Sequence, residues 1–177
     1  VDGLFLLASI ERPIRFIVDR GQFERPLFSR ILRALEVIPI DAAGGPRALL
    51  RSLRSAGDAL DRGEVVCIFP EGQITRTGGL QPFRRGLEKI VHGRRVPIVP
   101  VHLDRLWGSI FSFERGTFVT KLPRQLPYRV TVSFGAPLPS TATMPVVRRA
   151  VERLGAEAWP LRRDTARQLQ RLALARA

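Results

Sequence analysis

The run VVCIF at residues 65–69, followed directly by Pro-Glu-Gly, restricts the fold more than any other stretch of the sequence. Five consecutive apolar residues do not suit a strand that is wet on one face. They fit a strand covered on both faces, as in a parallel sheet sandwiched between helices. Pro70 cannot donate to a sheet ladder and is expected to end the strand. Glu71 then falls at the carboxyl end of a central strand, where open α/β sheets gather their functional groups.

The segments around this run supply the covering helices. In residues 24–35 the apolar positions Leu27, Phe28, Ile31, Leu32 and Leu35 recur at helical spacing. Pro46 opens a second helix that runs to Leu60 and stops at Gly63. Leu49, Leu50, Leu53, Ala56 and Leu60 line one side of it. Arg47, Arg51 and Arg54 line another, read as a solvated face with anionic lipid as the alternative. Short helices are expected over 2–10, 84–91 and 144–154, and strands over 14–18, 37–40, 97–101 and 128–134. This alternation predicts an α/β fold, a mostly parallel central sheet flanked by helices. Residues 1–158 form the expected domain, and 159–177 a basic helical tail or linker.

The 177 residues carry 29 Lys and Arg against 16 Asp and Glu, a formal charge of +13. Such an excess favours anionic partners: acidic lipid surfaces, phosphorylated ligands or nucleic acid. Lys89 and Lys121 are the only lysines, and an arginine-biased genome accounts for part of the excess without function. Nothing matches a nucleic-acid recognition motif, so nucleic acid is not an expected partner. The single cysteine, Cys67, excludes an internal disulfide and a cysteine-rich zinc site; it reads as a small buried packing residue in a reducing, cytoplasmic setting. No apolar run approaches the roughly 18 residues that span a bilayer. The first residue is Val1 rather than Met, and the chain is expected to be a piece of a longer protein.

The loop after the strand carries the candidate chemistry. Gly72 lets a ligand approach the backbone closely, and its amide is a candidate oxyanion donor. Arg76, Arg84 and Arg85 offer charge-assisted hydrogen bonds to phosphate. The competing reading is a solvated turn whose carboxylate pairs with an arginine. Other site grammars are missing: the loop has no Walker ending, and no G-x-S-x-G elbow occurs. The two histidines cannot build an H-E-x-x-H zinc site, and no metal or bound cofactor is expected. His92, before Gly93, reads as a helix-terminal surface residue. His102 is a pocket candidate with a structural role as the alternative.

FPEG at residues 69–72 and VPIVPV at 96–101, with Phe83 and Gly86 between them, resemble the third and fourth sequence blocks of the glycerolipid acyltransferases, the lysophosphatidate-acyltransferase-like (PlsC-type) superfamily. The resemblance covers roughly the first 140 residues. It implies transfer of a fatty acyl group from a thioester to a glycerolipid hydroxyl. The family's first block is asparagine–histidine, four residues, then aspartate. The resemblance aligns Asp2 with that aspartate, which orients the catalytic histidine. The histidine itself falls before Val1, so a chain beginning at Val1 is expected to be inactive alone. Phe69, Pro70, Glu71 and Gly72 are the implied acceptor-site residues, with Arg76 as a head-group candidate.

The resemblance also implies departures. Asp41, in EVIPIDAAGGP, stands where the second block carries a phosphate-binding arginine, and Gln73 and Ile74 replace the threonine and arginine after FPEG. Both changes remove positive charge. The expected acceptor is therefore a lysophospholipid with a zwitterionic head group, 2-acylglycerophosphoethanolamine-like, as in bacterial fusions with an acyl-carrier-protein synthetase or a transporter-like domain. The alternatives are a 1-acylglycerol-3-phosphate acyltransferase and a non-catalytic membrane-docking module of the same fold. The implied donor is acyl-carrier protein or acyl-CoA, and the implied location is the cytoplasmic face of the inner membrane. Trp107, Ile110, Phe111 and Phe113, beside Arg105 and Arg115, are candidates for dipping into the membrane interface, with core packing as the alternative.

Overall fold

A computed structural model describes residues 2–24, 30, 32–73, 79–105 and 130–174. Helix α1 (Asp2–Leu7) leads into strand β1 (Ile14–Asp19), followed by a 3₁₀ turn, Arg20–Glu24. Strand β2 (Ile38–Ile40), helix α2 (Gly45–Asp61) and strand β3 (Val65–Cys67) come next. Helix α3 (Gly86–Val91), strands β4 (Val101–Asp104) and β5 (Thr131–Phe134), and the long helix α4 (Met144–Leu174) follow. Residues 32–34 are helical, and most of the helix expected over 24–35 lies outside the described residues.

Strand β1 is the middle of a parallel sheet of order β2-β1-β3. Ile17 pairs with Ile38, and Ile14 and Phe16 pair with Val65 and Cys67. Its side chains alternate between two cores, as the strand period requires. Ile14 and Phe16 face Leu6 of α1, together with Val65 and Cys67. Ile17 faces Leu53, Ala56 and Ala59 of α2 and Ile90 of α3, together with Val66 and Ile68. Two covered faces explain why residues 65–68 have no polar position, whereas Phe69, past the end of the ladder, is 40% exposed. Burial pushes the Cys67 thiol up to about 12, as an apolar packing site does.

Helix α2 forms where the spacing of leucines placed it, and Gly63 ends it with a φ of 79°. Several expectations differ. The β3 ladder stops at Cys67, because the Phe69 carbonyl is turned back to accept the Gly72 N–H at 3.1 Å. Within the three-stranded sheet β3 is a flanking strand, not the central one expected; β1 is central. The strand expected over 97–101 begins at Val101 instead and pairs antiparallel with β5. Pro97 and Pro100 have no N–H to give a ladder, and Ile98 makes only an isolated bridge to Leu138.

Helix α4 extends well past Leu154 and continues through Trp159 and Pro160. Its start is fixed by Glu88 of α3, whose Oε1 accepts the Met144 N–H at 3.1 Å. Among the described residues, no helix is long and apolar enough to cross a membrane.

At the amino end of the sheet, Arg15 joins Glu36, ahead of β2, at 3.1 Å and Glu64, ahead of β3, at 2.8 Å. Charge there is spent on holding strands together. At the carboxyl end, the chain segments leaving all three strands carry polar groups with other uses.

Candidate active site

The turn after β3 is built by its own sequence. Pro70 occupies the second position of a four-residue turn, Phe69 to Gly72, and Gly72 the fourth with a φ of 64°. The strand's exit is thereby bent so that Glu71 stands half-buried at the carboxyl edge. The chain returns after residues 74–78 and fastens to this turn twice. The Gln81 N–H donates to Glu71 Oε2 at 2.7 Å, and the Arg84 N–H donates to the Pro70 carbonyl at 2.8 Å.

Asp2 reaches the same edge from the other direction. Helix α1 covers β1 through Gly3, where an added Cβ would stand 3.2 Å from the Phe16 ring. Its first residue, Asp2, is exposed and close enough to Glu71 for the two charges to repel. Burial, with a small contribution from Asp2, raises the Glu71 carboxyl above its ordinary value, against the Gln81 N–H and the Arg148 guanidinium, which lower it.

Asp2, Phe69, Pro70, Glu71 and Gly72 are thus gathered at one end of the sheet, while Arg76 lies outside the described residues. So do Ile74, Trp107, Ile110, Phe111, Phe113 and Arg115. The Gly72 amide, expected as an oxyanion donor, is already donated to the Phe69 carbonyl and holds the turn instead. Gln81 and Arg148 are groups that the sequence did not reveal as neighbours of Glu71. Arg148 sits on α4, remote in the chain, in an ordinary helical charge pair with Glu152 at 2.9 Å.

Asp41 also has a defined local use. Its Oδ1 accepts the Gly44 N–H at 2.7 Å ahead of α2, its Oδ2 lies 3.3 Å from Arg20, and its own N–H donates to Ser52. It lines a cleft of about 200 Å³ with Arg20, Arg51, Ser52 and Ser55. A second cleft, about 280 Å³, lies between α3 and the start of α4, bordered by Arg85, Glu88, His92, Ser140 and Thr143. Neither contains Asp2 or Glu71. His92 is exposed just past α3. His102 lies on β4 with its ring against Gly155 of α4, and its Nε2 is 4.0 Å from Asp104.

These features define an α/β protein with its polar groups collected at the carboxyl edge of a parallel sheet. The acyltransferase family model matches residues 1–104, more than half the sequence, and the chain belongs to that family, within the PlsC-type glycerolipid acyltransferases. The crystal structure of the 1-acyl-sn-glycerophosphate (LPA) acyltransferase PlsC from Thermotoga maritima shares the fold, with a TM-score of 0.60 at 23% identity. That match covers 82% of this chain and 56% of the other. The chloroplastic 1-acyl-sn-glycerol-3-phosphate acyltransferase BAT2 of Brassica napus is 29% identical over 100 residues, 56% of this chain and 29% of its own length. A probable 1-acyl-sn-glycerol-3-phosphate acyltransferase of Mycoplasma pneumoniae is 26% identical over 143 residues, 78% of this chain and 53% of its own. The chain thus spans about half or less of these curated relatives' lengths.

Proposed function

We propose that this chain is the catalytic fold of an enzyme that moves a fatty acyl group from a thioester to the free hydroxyl of a lysophospholipid. The observation that carries the reading is that the Asp2 charge acts on Glu71 of the Phe69–Gly72 turn, in a chain of the acyltransferase family. In this reading Asp2 orients an imidazole contributed from five positions before it. The imidazole takes the acceptor's hydroxyl proton as the oxygen attacks the thioester carbonyl. The new C–O bond forms, the C–S bond breaks, and the proton passes to the departing thiolate. The Phe69–Gly72 turn walls the acceptor side. The donor is acyl-carrier protein or acyl-CoA, and fused synthetase or transporter-like domains belong to the same proposal. A membrane lipid acceptor sets the reaction at a bilayer surface, proposed as the cytoplasmic face of the inner membrane.

The relatives' names favour 1-acylglycerol-3-phosphate as the acceptor over the ethanolamine lipid expected from sequence. The Asp41 half of that expectation also weakens, since its carboxylate is held by the Gly44 N–H and Arg20 rather than left bare. Replacement of the threonine and arginine by Gln73 and Ile74 still favours the ethanolamine lipid as the second reading. The test is acyl transfer by the full-length protein, with both donors and with lysophosphatidate or lysophosphatidylethanolamine, beside an Asp2→Ala control. Transfer that the control abolishes supports the chemistry. A folded protein that transfers to neither lipid refutes it.

A further inference from the structure

Arg84 differs from the arginines around it. Arg85, its neighbour in sequence, is paired with Glu88 at 2.8 Å, and Arg148, which acts on Glu71 from α4, is paired with Glu152. Across the sheet edge Arg20 is paired with Asp41. The Arg84 side chain is exposed and has no ion pair or side-chain hydrogen bond among the described residues. An uncommitted guanidinium is ordinarily a mobile surface group. This one is anchored where it leaves the main chain, because the Arg84 backbone N–H donates to the Pro70 carbonyl at 2.8 Å.

Its stem is positioned as well. A Cβ added to Gly72 would stand 2.9 Å from Arg84 Cδ and 3.0 Å from Nε. The arginine therefore lies along the bare backbone of Gly72, in space that any side chain there would occupy. The arrangement places a free, planar, five-donor cation beside the turn that carries Glu71. Such a group pairs with the oxygens of a phosphate ester through charge-assisted hydrogen bonds. The neighbouring carboxylates, Glu71 and Asp2, make the edge unfavourable for an anion unless a dedicated cation is present.

We propose that Arg84 is the head-group residue of this site, binding the phosphate of the lysophospholipid acceptor. The inference rests on the acceptor reading above and assigns its phosphate a partner on this chain. Acyl donors also carry phosphate, so the acceptor and donor sources are separated by experiment.

Binding of lysophosphatidate and of the uncharged monoacylglycerol with the same acyl chain is measured on the full-length protein without donor. Arg84→Ala weakens lysophosphatidate binding by about 10- to 100-fold, as loss of a charge-assisted hydrogen bond does. It leaves monoacylglycerol binding within about twofold, and Arg84→Lys recovers part of the loss. Arg153→Ala, an exposed arginine of α4, removes one positive charge elsewhere and leaves both affinities unchanged. In turnover, Arg84→Ala raises the KM for the acceptor and not for the donor. Equal weakening toward both lipids, no weakening toward lysophosphatidate, or a rise in KM for the donor alone overturns the proposal. Because binding is read without chemistry, a protein that binds but does not transfer refutes the acyltransferase reading without touching this one.

Discussion

Replacing Gly72 by alanine tests whether the turn's geometry is set by its backbone or by what lies against it. The φ of 64° at Gly72 is left-handed, a conformation costing an L-residue with a Cβ roughly 1–2 kcal/mol. The added methyl also meets Arg84 Cδ at 2.9 Å. That contact is with the stem of an exposed side chain, which relieves it by shifting about half an ångström while still lying along the turn, so the backbone cost dominates. The expected loss is about 1–2 kcal/mol, a fall in Tm of about 2–8 °C for a chain of this size. Urea and thermal unfolding at fixed pH measure it, in the native protein and in an Arg84→Ala background. If the backbone is the cause, the cost is the same in both within about 0.5 kcal/mol. Gly72→Asn then costs less than Gly72→Ala despite its larger side chain, because asparagine tolerates the left-handed region better. A neutral Gly72→Ala, or an asparagine worse than alanine, refutes the reasoning.

Two further outcomes follow from the same edge. The raised Glu71 carboxyl means that folding favours its protonated form, a contribution fully present below the unfolded value of 4.5 and lost as pH rises through the folded one. Glu71→Gln is therefore expected to be at least as stable as the native protein at pH 7, with the difference vanishing below about pH 4, while acyl transfer falls; a Glu71→Gln protein that is less stable at pH 7 contradicts this. Asp41→Ala loses the acceptor for the Gly44 N–H and is expected to cost about 0.5–1.5 kcal/mol, most of it restored by asparagine. If Asp41 serves the turn alone, Asp41→Asn keeps the ratio of transfer to lysophosphatidate and lysophosphatidylethanolamine, and a change of about fivefold or more in that ratio restores it as a head-group determinant.

Local chemistry in the sequence determined much of the fold. The unbroken apolar run demanded a strand with two covered faces; β3 sends Val65 and Cys67 to one core and Val66 to the other, where Ile68 just past the strand also packs, while Phe69 is exposed. The leucine spacing of α2 and the glycine past its end fixed that helix nearly to the residue. The Phe69–Gly72 block pointed to the edge where the proposed site lies. Strand limits were less legible. The ladder ends at Cys67 because a carbonyl two residues on turns toward Gly72, and β4 starts after Pro100 because prolines withhold donors on which pairing depends.

Only the tertiary structure decided the surroundings of Glu71. Its hydrogen bond comes from Gln81, ten residues further along the chain, its opposing charges from Asp2 on α1 and Arg148 on α4. It likewise decided that the Gly72 amide is consumed by the turn and that Arg84, unpaired among the described residues, lies across Gly72. Periodicity and turn preference act over a few bonds of chain, so they are written into neighbouring residues. Electrostatic surroundings depend on distances between segments that share no local pattern, and those distances exist only once the strands have paired and the helices have packed on them.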